Sequence, residues 1–112
     1  MPEEENMFRI SVCYGHPVDP AAFDAHYTQT HIPLTLQIPG LAGFTTGRPR
    51  SLVPNQDAPY HLVASLSFSS AHELKAALKS PEMAAASADV ANFATGGVTL
   101  FSTDETDHRR PG

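Results

Sequence analysis

The chain has 112 residues, of which 41% are hydrophobic and 17% are charged, and its formal net charge is −5. This composition is typical of a single globular domain and excludes an intrinsically disordered chain. The acidic balance argues against nucleic acid as a partner, because phosphate recognition needs a concentrated basic surface. The sequence contains neither a signal-peptide pattern nor an apolar run that could span a bilayer, so we expect a cytoplasmic protein without a membrane partner.

The first predicted element is a strand over residues 7–14, where apolar side chains alternate between two faces. The preceding residues 1–6 carry three consecutive glutamates and predict a frayed end. Cys13 is the only cysteine, which excludes an intrachain disulfide and fits a reducing compartment. Because Cys13 lies within the apolar run, we interpret it as a small buried hydrophobic residue.

The second predicted element is a helix with a clear start. Asp19 can cap its first turn, and Pro20 fits the first helical position, where no backbone donor is needed. Pro33 cannot donate a backbone hydrogen bond, so we expect the helix to stop or kink near His31. The helical region is expected to end at residues 39–40, a Pro-Gly pair.

The remaining elements predict a ferredoxin-like fold. Strands are predicted at residues 41–48, 60–68 and 98–102, helices between residues 70 and 95, a loop at 49–59 and a polar tail at 103–112. The helices begin at caps provided by Ser70 and Ser80. The resulting order, βαββαβ, is that of the α+β ferredoxin-like plan, with one four-stranded antiparallel sheet and both helices on one of its faces.

The two faces of this sheet have different expected roles. The bulkier alternating residues should face the helices, and they include Ile10, Val12, Leu62, Leu66 and Leu100. The opposite face carries a mixture of small and apolar residues, including Ser11, Cys13, Val63, Ser65 and Ser67. Such a face is too apolar to stay entirely bare, so we expect a homodimer that buries it.

The stretch from residue 19 to residue 41 resembles the EthD-like proteins of the dimeric α+β barrel superfamily. The matching pattern is Asp19-Pro20, Phe23, Tyr27, His31, Pro33-Leu34 and Pro39-Gly40-Leu41. The resemblance covers nearly the whole chain and implies one EthD-like domain over residues 1–112, with an ordered core of about 7–103. It also implies paired sheet faces and a pocket between the helices and the sheet of each subunit. Superfamily relatives include lactone isomerases, polyketide cyclases and cofactor-free monooxygenases, and the group takes its name from a gene cluster for ether degradation.

His31 is the predicted catalytic residue, because an imidazole at a helix break can accept or donate a proton near neutral pH. Tyr27 lies one turn earlier on the same face and is predicted to bind a carbonyl or to orient the imidazole. The structural alternatives remain open at this point. His31 would then bond the backbone freed by Pro33, and Tyr27 would be a core residue with a solvated hydroxyl.

Aromatic and aliphatic residues elsewhere predict a pocket for a small apolar or aromatic molecule that contains oxygen. The predicted substrate-binding residues are Tyr14, Phe23, Leu34, Phe44, Tyr60 and Leu66. His26 lies about 140° from His31 around a regular helix, so we expect it to be solvated and outside this pocket. No phosphate loop or flavin motif is present, and no histidine pair among His16, His26, His31 and His61 has zinc-binding spacing, so we expect neither a cofactor nor a metal.

Two functional hypotheses follow from these residues. The first is an enzyme for isomerisation, cyclisation, decarboxylation or cofactor-free oxygenation, in which His31 moves a proton and a tyrosine steadies the developing oxyanion. The second is a binding or accessory protein that sequesters such a molecule without changing it. Replacement of the proton-transfer group separates the two, because only the enzyme requires that group.

Overall fold

The computed structural model describes residues 6–109 and has the predicted ferredoxin-like fold. Its elements are β1 (Asn6–Tyr14), α1 (Pro20–His26), a π-turn (Tyr27–His31), α2 (Ile32–Leu36), β2 (Gly43–Gly47), β3 (Leu62–Phe68), α3 (Ala71–Leu78), α4 (Pro81–Val90) and β4 (Val98–Thr106). The strands form one antiparallel sheet in the order β2-β3-β1-β4. Within residues 6–109, no helix is long and apolar enough to cross a membrane.

The helices cover the sheet face predicted from the bulkier strand residues. Ile10, Val12, Leu62 and Leu66 are all buried there. Leu100 is paired with Val12 and therefore lies on the same face, but 60% of it stays exposed. Its strand, β4, is at the edge of the sheet, beyond the area that the helices shield.

The opposite face is left open in the single chain. It carries Ser11 paired with Ser65, and Cys13 paired with Val63. Cys13 is a free thiol and is buried, as its position in an apolar strand predicted. The large ring of Phe101, which is paired with Ser11, is 48% exposed on this face.

The first helix begins as predicted and changes its pitch near Pro33. The side chain of Asp19 accepts a hydrogen bond from the backbone N–H of Ala22, and Pro20 occupies the first turn. The helix does not stop at His31; it passes through the π-turn, in which the N–H of Ile32 donates to the carbonyl of Tyr27, five residues earlier. Pro33 then falls in the first turn of α2, where its missing N–H is tolerated.

The predicted bounds of three strands were wrong by two or more residues at one end. β2 covers Gly43–Gly47 rather than residues 41–48. β3 begins at Leu62 rather than at residue 60, so Tyr60 lies in the preceding loop. β4 continues to Thr106 rather than ending at residue 102, because its polar residues pair with the start of β1. Arg9 and Glu105 form an ion pair across these strands at 2.6 Å. An exposed edge strand needs no apolar periodicity, so sequence patterning did not reveal this extension.

Most of the predicted N-terminal frayed end, residues 1–5, and residues 110–112 of the predicted tail lie outside the described residues.

Candidate active site

A cavity of about 250 Å³ lies between the sheet and the helices. Its walls are mainly aliphatic, and they include Ile10, Val12, Ile38, Leu66, Met83 and Val90. Polar groups enter from a few positions, namely Tyr14, Tyr27, His31, Thr35 and Ser87. Val98 and Leu100 on β4 also line the cavity and are partly exposed, so this side is where the cavity approaches solvent. The arrangement favours a small ligand with an apolar body and a localised polar group.

His31 is buried and held in one orientation by a carboxylate. Its Nδ1 lies 2.9 Å from Oδ2 of Asp89. An ionised carboxylate can only accept, so Nδ1 carries the proton and Nε2 has a free lone pair. Nε2 lies 3.4 Å from the hydroxyl of Tyr14, another residue of the cavity wall. This tautomer presents the basic nitrogen of His31 beside the cavity.

Asp89 lies on α4 and receives donors from three side chains. Besides His31, it accepts from Nε2 of His26 at 2.8 Å and from Nδ2 of Asn92 at 3.0 Å. Burial of Asp89 works to raise its pKa, but the hydrogen bonds from Asn92, His26 and His31 outweigh burial and hold the pKa below its ordinary value. Asp89 is therefore ionised at neutral pH and can stabilise positive charge on His31.

The pKa of His31 is also below its ordinary value, for a different reason. Burial disfavours the imidazolium and is the largest effect. The hydrogen bond and the negative charge of Asp89 oppose this shift, while the nearby His26 adds to it. The net result is a histidine that is neutral at pH 7 and available as a base.

The two tyrosines beside His31 are buried phenols. Their rings meet edge to face, with 5.6 Å between the centroids of Tyr14 and Tyr27. Burial raises the pKa of Tyr27 to about 12 and raises that of Tyr14 well above its usual range, with Tyr27 and Asp89 contributing to the second shift. Both hydroxyls therefore stay protonated and can act as hydrogen-bond donors.

Residues 15–97 match the family model for the EthD domain. The chain belongs to the EthD family. A relative from Rhodococcus erythropolis, described as an uncharacterized 11.0 kDa protein in the thcB-thcC intergenic region, is 50% identical over 99 residues. That match covers 88% of this chain and 95% of the relative. The resemblance inferred from residues 19–41 is thereby confirmed.

Solved structures agree with this assignment. An ethyl tert-butyl ether d (ethd) family protein from Bacillus halodurans is 31% identical, with a TM-score of 0.81, 89% of this chain covered and 99% of that chain. A dimeric ferredoxin-like protein of unknown function from Thermobifida fusca is 14% identical, with a TM-score of 0.64 and coverages of 89% and 91%. SnoaB from Streptomyces nogalater, a cofactor-independent oxygenase, is 16% identical, with a TM-score of 0.59 and coverages of 95% and 96%. At these low identities, the last two share the fold of the EthD chain and show nothing further.

The EthD chain brings five of the eight predicted site residues together around the cavity: Tyr14, Tyr27, His31, Phe44 and Leu66. Among the described contacts, the hydroxyl near His31 Nε2 belongs to Tyr14, whereas the Tyr27 ring packs against the imidazole, with 5.2 Å between their centroids. The tyrosine hydroxyl next to the basic nitrogen of His31 is therefore that of Tyr14 and not, as predicted, that of Tyr27. The catalytic roles themselves remain predictions.

Three predicted binding residues do not line the cavity. Phe23 is buried in the core, where its ring and that of Tyr14 meet edge to face with 5.3 Å between centroids. Leu34 packs against the core, whereas its neighbour Thr35 faces the cavity. Tyr60 lies in the loop before β3. Phe23 lies one helical turn before the wall residue Tyr27. Tyr60 lies four residues before Ala64, the first residue of β3 that lines the cavity.

The expectation that His26 is solvated was wrong, and Asp89 was missed. His26 reaches Asp89 because the π-turn changes its angular relation to His31. Asp89 had a recognisable signal in the sequence, since it lies three residues after Ala86 on the buried face of α4. A carboxylate on a buried helical face requires donors, and this requirement is the clue that apolar patterning overlooked.

A second polar cluster lies outside the cavity, in a cleft lined by Asp24, Tyr27 and Arg48. Arg48 Nη2 and His61 Nε2 each lie 2.9 Å from Oδ1 of Asp24. Burial works to raise the pKa of Asp24, but the hydrogen bonds from Arg48 and His61 hold it below its ordinary value. Arg48 thus pairs with a carboxylate of its own chain. Across residues 6–109, no group of three or more His, Cys, Asp or Glu residues is arranged to hold a metal ion.

Proposed function

We propose that this EthD protein catalyses proton transfer on a small, mainly apolar molecule that contains a carbonyl, phenol or lactone oxygen. His31 is the general base, Asp89 orients it, and Tyr14 donates to the oxygen that gains negative charge. The observation that supports the proposal most strongly is the hydrogen bond from His31 Nδ1 to Asp89, because it leaves Nε2 unprotonated beside the cavity.

The proposed step moves one proton and one electron pair. Nε2 of His31 accepts a proton from the carbon next to the substrate carbonyl, and the C–H electron pair moves into the carbonyl to form an enolate. Asp89 stabilises the imidazolium through the Nδ1–H bond, while the hydroxyl of Tyr14 donates to the enolate oxygen. At 3.4 Å the contact between Tyr14 and Nε2 is longer than a strong hydrogen bond, so the hydroxyl can turn toward substrate. Return of the proton to another carbon completes an isomerisation.

Removal of a proton is also a first step in cyclisation and in cofactor-independent oxygenation. SnoaB, described as a cofactor-independent oxygenase, is built on the same fold. This likeness is compatible with proton-transfer chemistry in such a cavity, but the residues of this chain carry the proposal. His31, Asp89 and Tyr14 supply a base, its orienting group and an oxyanion donor within one connected network.

The proposal includes a homodimer formed through the open sheet face. Proteins of this fold from Thermobifida fusca and Bacteroides fragilis are described as dimeric. In this chain the open face combines small residues such as Ser11 and Ser65 with the half-exposed ring of Phe101. Pairing two such faces would remove apolar surface from water, which favours association.

Hydrogen–deuterium exchange into 2-indanone tests the chemistry without knowledge of the natural substrate. This ketone is uncharged and cyclic, and it has acidic C–H bonds next to its carbonyl. Its exchange in D2O can be followed by NMR for the wild-type protein, His31→Asn and the control His72→Asn, which makes the same change on the exposed face of α3. We expect His31→Asn to lower the catalysed rate by about 10²–10⁴-fold and His72→Asn to leave it unchanged.

Two results would contradict the proposal. One is a wild-type rate that does not exceed that of His31→Asn at equal concentrations of folded protein. The other is saturable binding of 2-indanone by the wild type with no catalysed exchange, which would favour the binding or accessory protein. Circular dichroism of each variant establishes that the compared samples are folded.

A further inference from the structure

The charge of the cavity wall limits what it can bind. Within the described residues 6–109, none of the lining side chains is Lys or Arg. The ionisable groups on the wall are Tyr14, Tyr27 and His31. All three are neutral at pH 7: the phenols ionise only far above this pH, and burial lowers the pKa of the imidazole. The wall itself therefore offers no positive charge to an anion.

A negative charge lies behind this wall. The carboxylate of Asp89 is hydrogen-bonded to Nδ1 of His31, on the side of the ring opposite Nε2. The potential that it projects toward the cavity opposes a second anion. Arg48 cannot compensate, since it lines the outer cleft with Asp24 and is paired with that residue.

We propose that this cavity accepts uncharged molecules and rejects carboxylates, so the substrates of the EthD protein are neutral ketones, lactones or phenols. The inference rests on the proposed function only in taking this cavity as the substrate site. A carboxylate that enters loses its hydration and gains no cation in return. The free energy of desolvation is much smaller for a neutral carbonyl or hydroxyl. Decarboxylation of an ionised acid is therefore excluded from the reactions considered above.

The cavity volume adds a limit on size. An apolar protein cavity of roughly 150 Å³ can hold benzene. The cavity here is about 250 Å³, enough for one substituted ring or two small fused rings. Larger substituents would have to project past Val98 and Leu100, where the wall is partly exposed. Because the cavity lining offers no cation, a reaction that supplies this substrate must leave no free carboxylate on the part that enters the cavity.

A matched pair of probes tests the charge selectivity directly. p-Toluamide and p-toluate have nearly the same shape, but only p-toluate carries a negative charge at pH 7.5. NMR of isotope-labelled methyl groups on Ile10, Val12 and Leu66 reports entry into the cavity, because these residues line it. We expect saturable shifts with p-toluamide and an affinity for p-toluate that is lower by roughly tenfold or more, since an unpaired buried charge is costly.

Two variants test the effect of an added cation, one at the rim of the cavity and one away from it. Ser87 lines the cavity and is exposed on α4, so Ser87→Lys can present an ammonium group at its rim without burying it in the core. Ala85 is exposed on the same helix and does not line the cavity, so Ala85→Lys is the matched control. We expect Ser87→Lys to raise the affinity for p-toluate several-fold and Ala85→Lys to leave it unchanged.

Equal affinity of the wild-type protein for the two probes would overturn the proposal, as would failure of p-toluamide to enter the cavity at any soluble concentration. The test is independent of catalysis. His31→Asn should retain the preference for p-toluamide, because the substitution adds no positive charge. A wild-type protein that prefers p-toluamide but catalyses no exchange would contradict the proposed function alone. A wild-type protein that catalyses exchange but binds both probes equally would contradict the selectivity alone.

Discussion

His26 and His31 donate hydrogen bonds to the same carboxylate, that of Asp89, although they are five residues apart in the chain. In a regular α-helix that spacing would turn the two side chains about 140° from each other. The π-turn over Tyr27–His31 replaces the regular pitch with a bond between residues five apart, from Ile32 N–H to the Tyr27 carbonyl. The orientation of the proposed base therefore depends on a local departure from α-helical geometry.

The pH dependence of exchange is the first prediction. General-base catalysis requires neutral His31, and burial lowers the pKa of this residue from its ordinary value of 6.5. The kcat/KM for 2-indanone exchange should therefore rise with pH and level off, with a midpoint below 6.5. A midpoint at or above that value, or an identical profile for His31→Asn, would contradict the assignment.

The second prediction concerns Asp89→Asn. An amide can donate from Nδ2 to Nδ1 of His31, which would move the imidazole proton to Nε2 and remove the lone pair beside the cavity. We expect exchange to fall by about 10²–10⁴-fold, the usual contribution of a general base. Nitrogen-15 NMR of the imidazole shows directly which ring nitrogen carries the proton.

Two comparisons make the Asp89 experiment specific. His26→Ala removes one donor to Asp89 but leaves the charge and its bond to His31, so its exchange rate should fall less than that of Asp89→Asn. Asp57→Asn makes the same chemical change in an exposed loop and should have no effect. An unchanged His31 tautomer in Asp89→Asn, with activity retained, would show that Asp89 does not orient the base.

The free energy of unfolding should decrease as the pH falls below 6.5, the ordinary pKa of histidine. Because the folded-state pKa of His31 is lowered from 6.5, the unfolded chain binds more protons between the two values, and unfolding becomes easier on acidification. Asp89, whose pKa is lowered from 3.8, contributes stability above that value that is lost as the pH falls through its folded-state pKa. Urea unfolding of the wild type between pH 8 and about 5 should therefore give a steeper loss than that of His31→Asn. Parallel curves for the two proteins would contradict this expectation.

The end of β4 provides a fourth prediction. Residues 103–106 pair with the start of β1, and Glu105 bonds Arg9. Removal of residues 103–112 should cost roughly 1–3 kcal/mol, because several partly exposed hydrogen bonds are lost, and should lower Tm by several degrees. Removal of residues 107–112 alone should change Tm little, since it leaves β4 intact. Equal melting of the two truncated chains would show that the added pairing contributes no stability.

Dimerisation through the open face is the fifth prediction. Ser65 lies in the middle of this face, paired with Ser11 and Thr45, so Ser65→Glu would place a charge inside the proposed interface. Size-exclusion chromatography with light scattering should show a wild-type dimer and a weakened dimer for Ser65→Glu. Ala85→Glu, on an exposed position of α4, should behave like the wild type. A wild-type monomer at high micromolar concentration would rule out this assembly.

Much of the fold was predictable because its signals are local. Alternation of apolar residues predicted β1 and β3, and both are strands. The cap at Asp19 predicted the start of α1, and Pro33 predicted the change of helical pitch that precedes it. The strand extension at residues 103–106 escaped prediction because its polar residues form an edge, where pairing depends on β1 rather than on apolar periodicity.

Local sequence patterns were sufficient to predict the order of the elements and the placement of His31 and Tyr27 on one helical face, since both depend on residues within a few positions of one another. The way in which His31 is held, in contrast, depends on long-range packing. Asp89 lies 58 residues from His31 along the chain, and its carboxylate meets both histidines only when α4 packs beside the π-turn. The relative rotation of two packed helices sets which side chains meet, and no local pattern in either helix specifies that rotation.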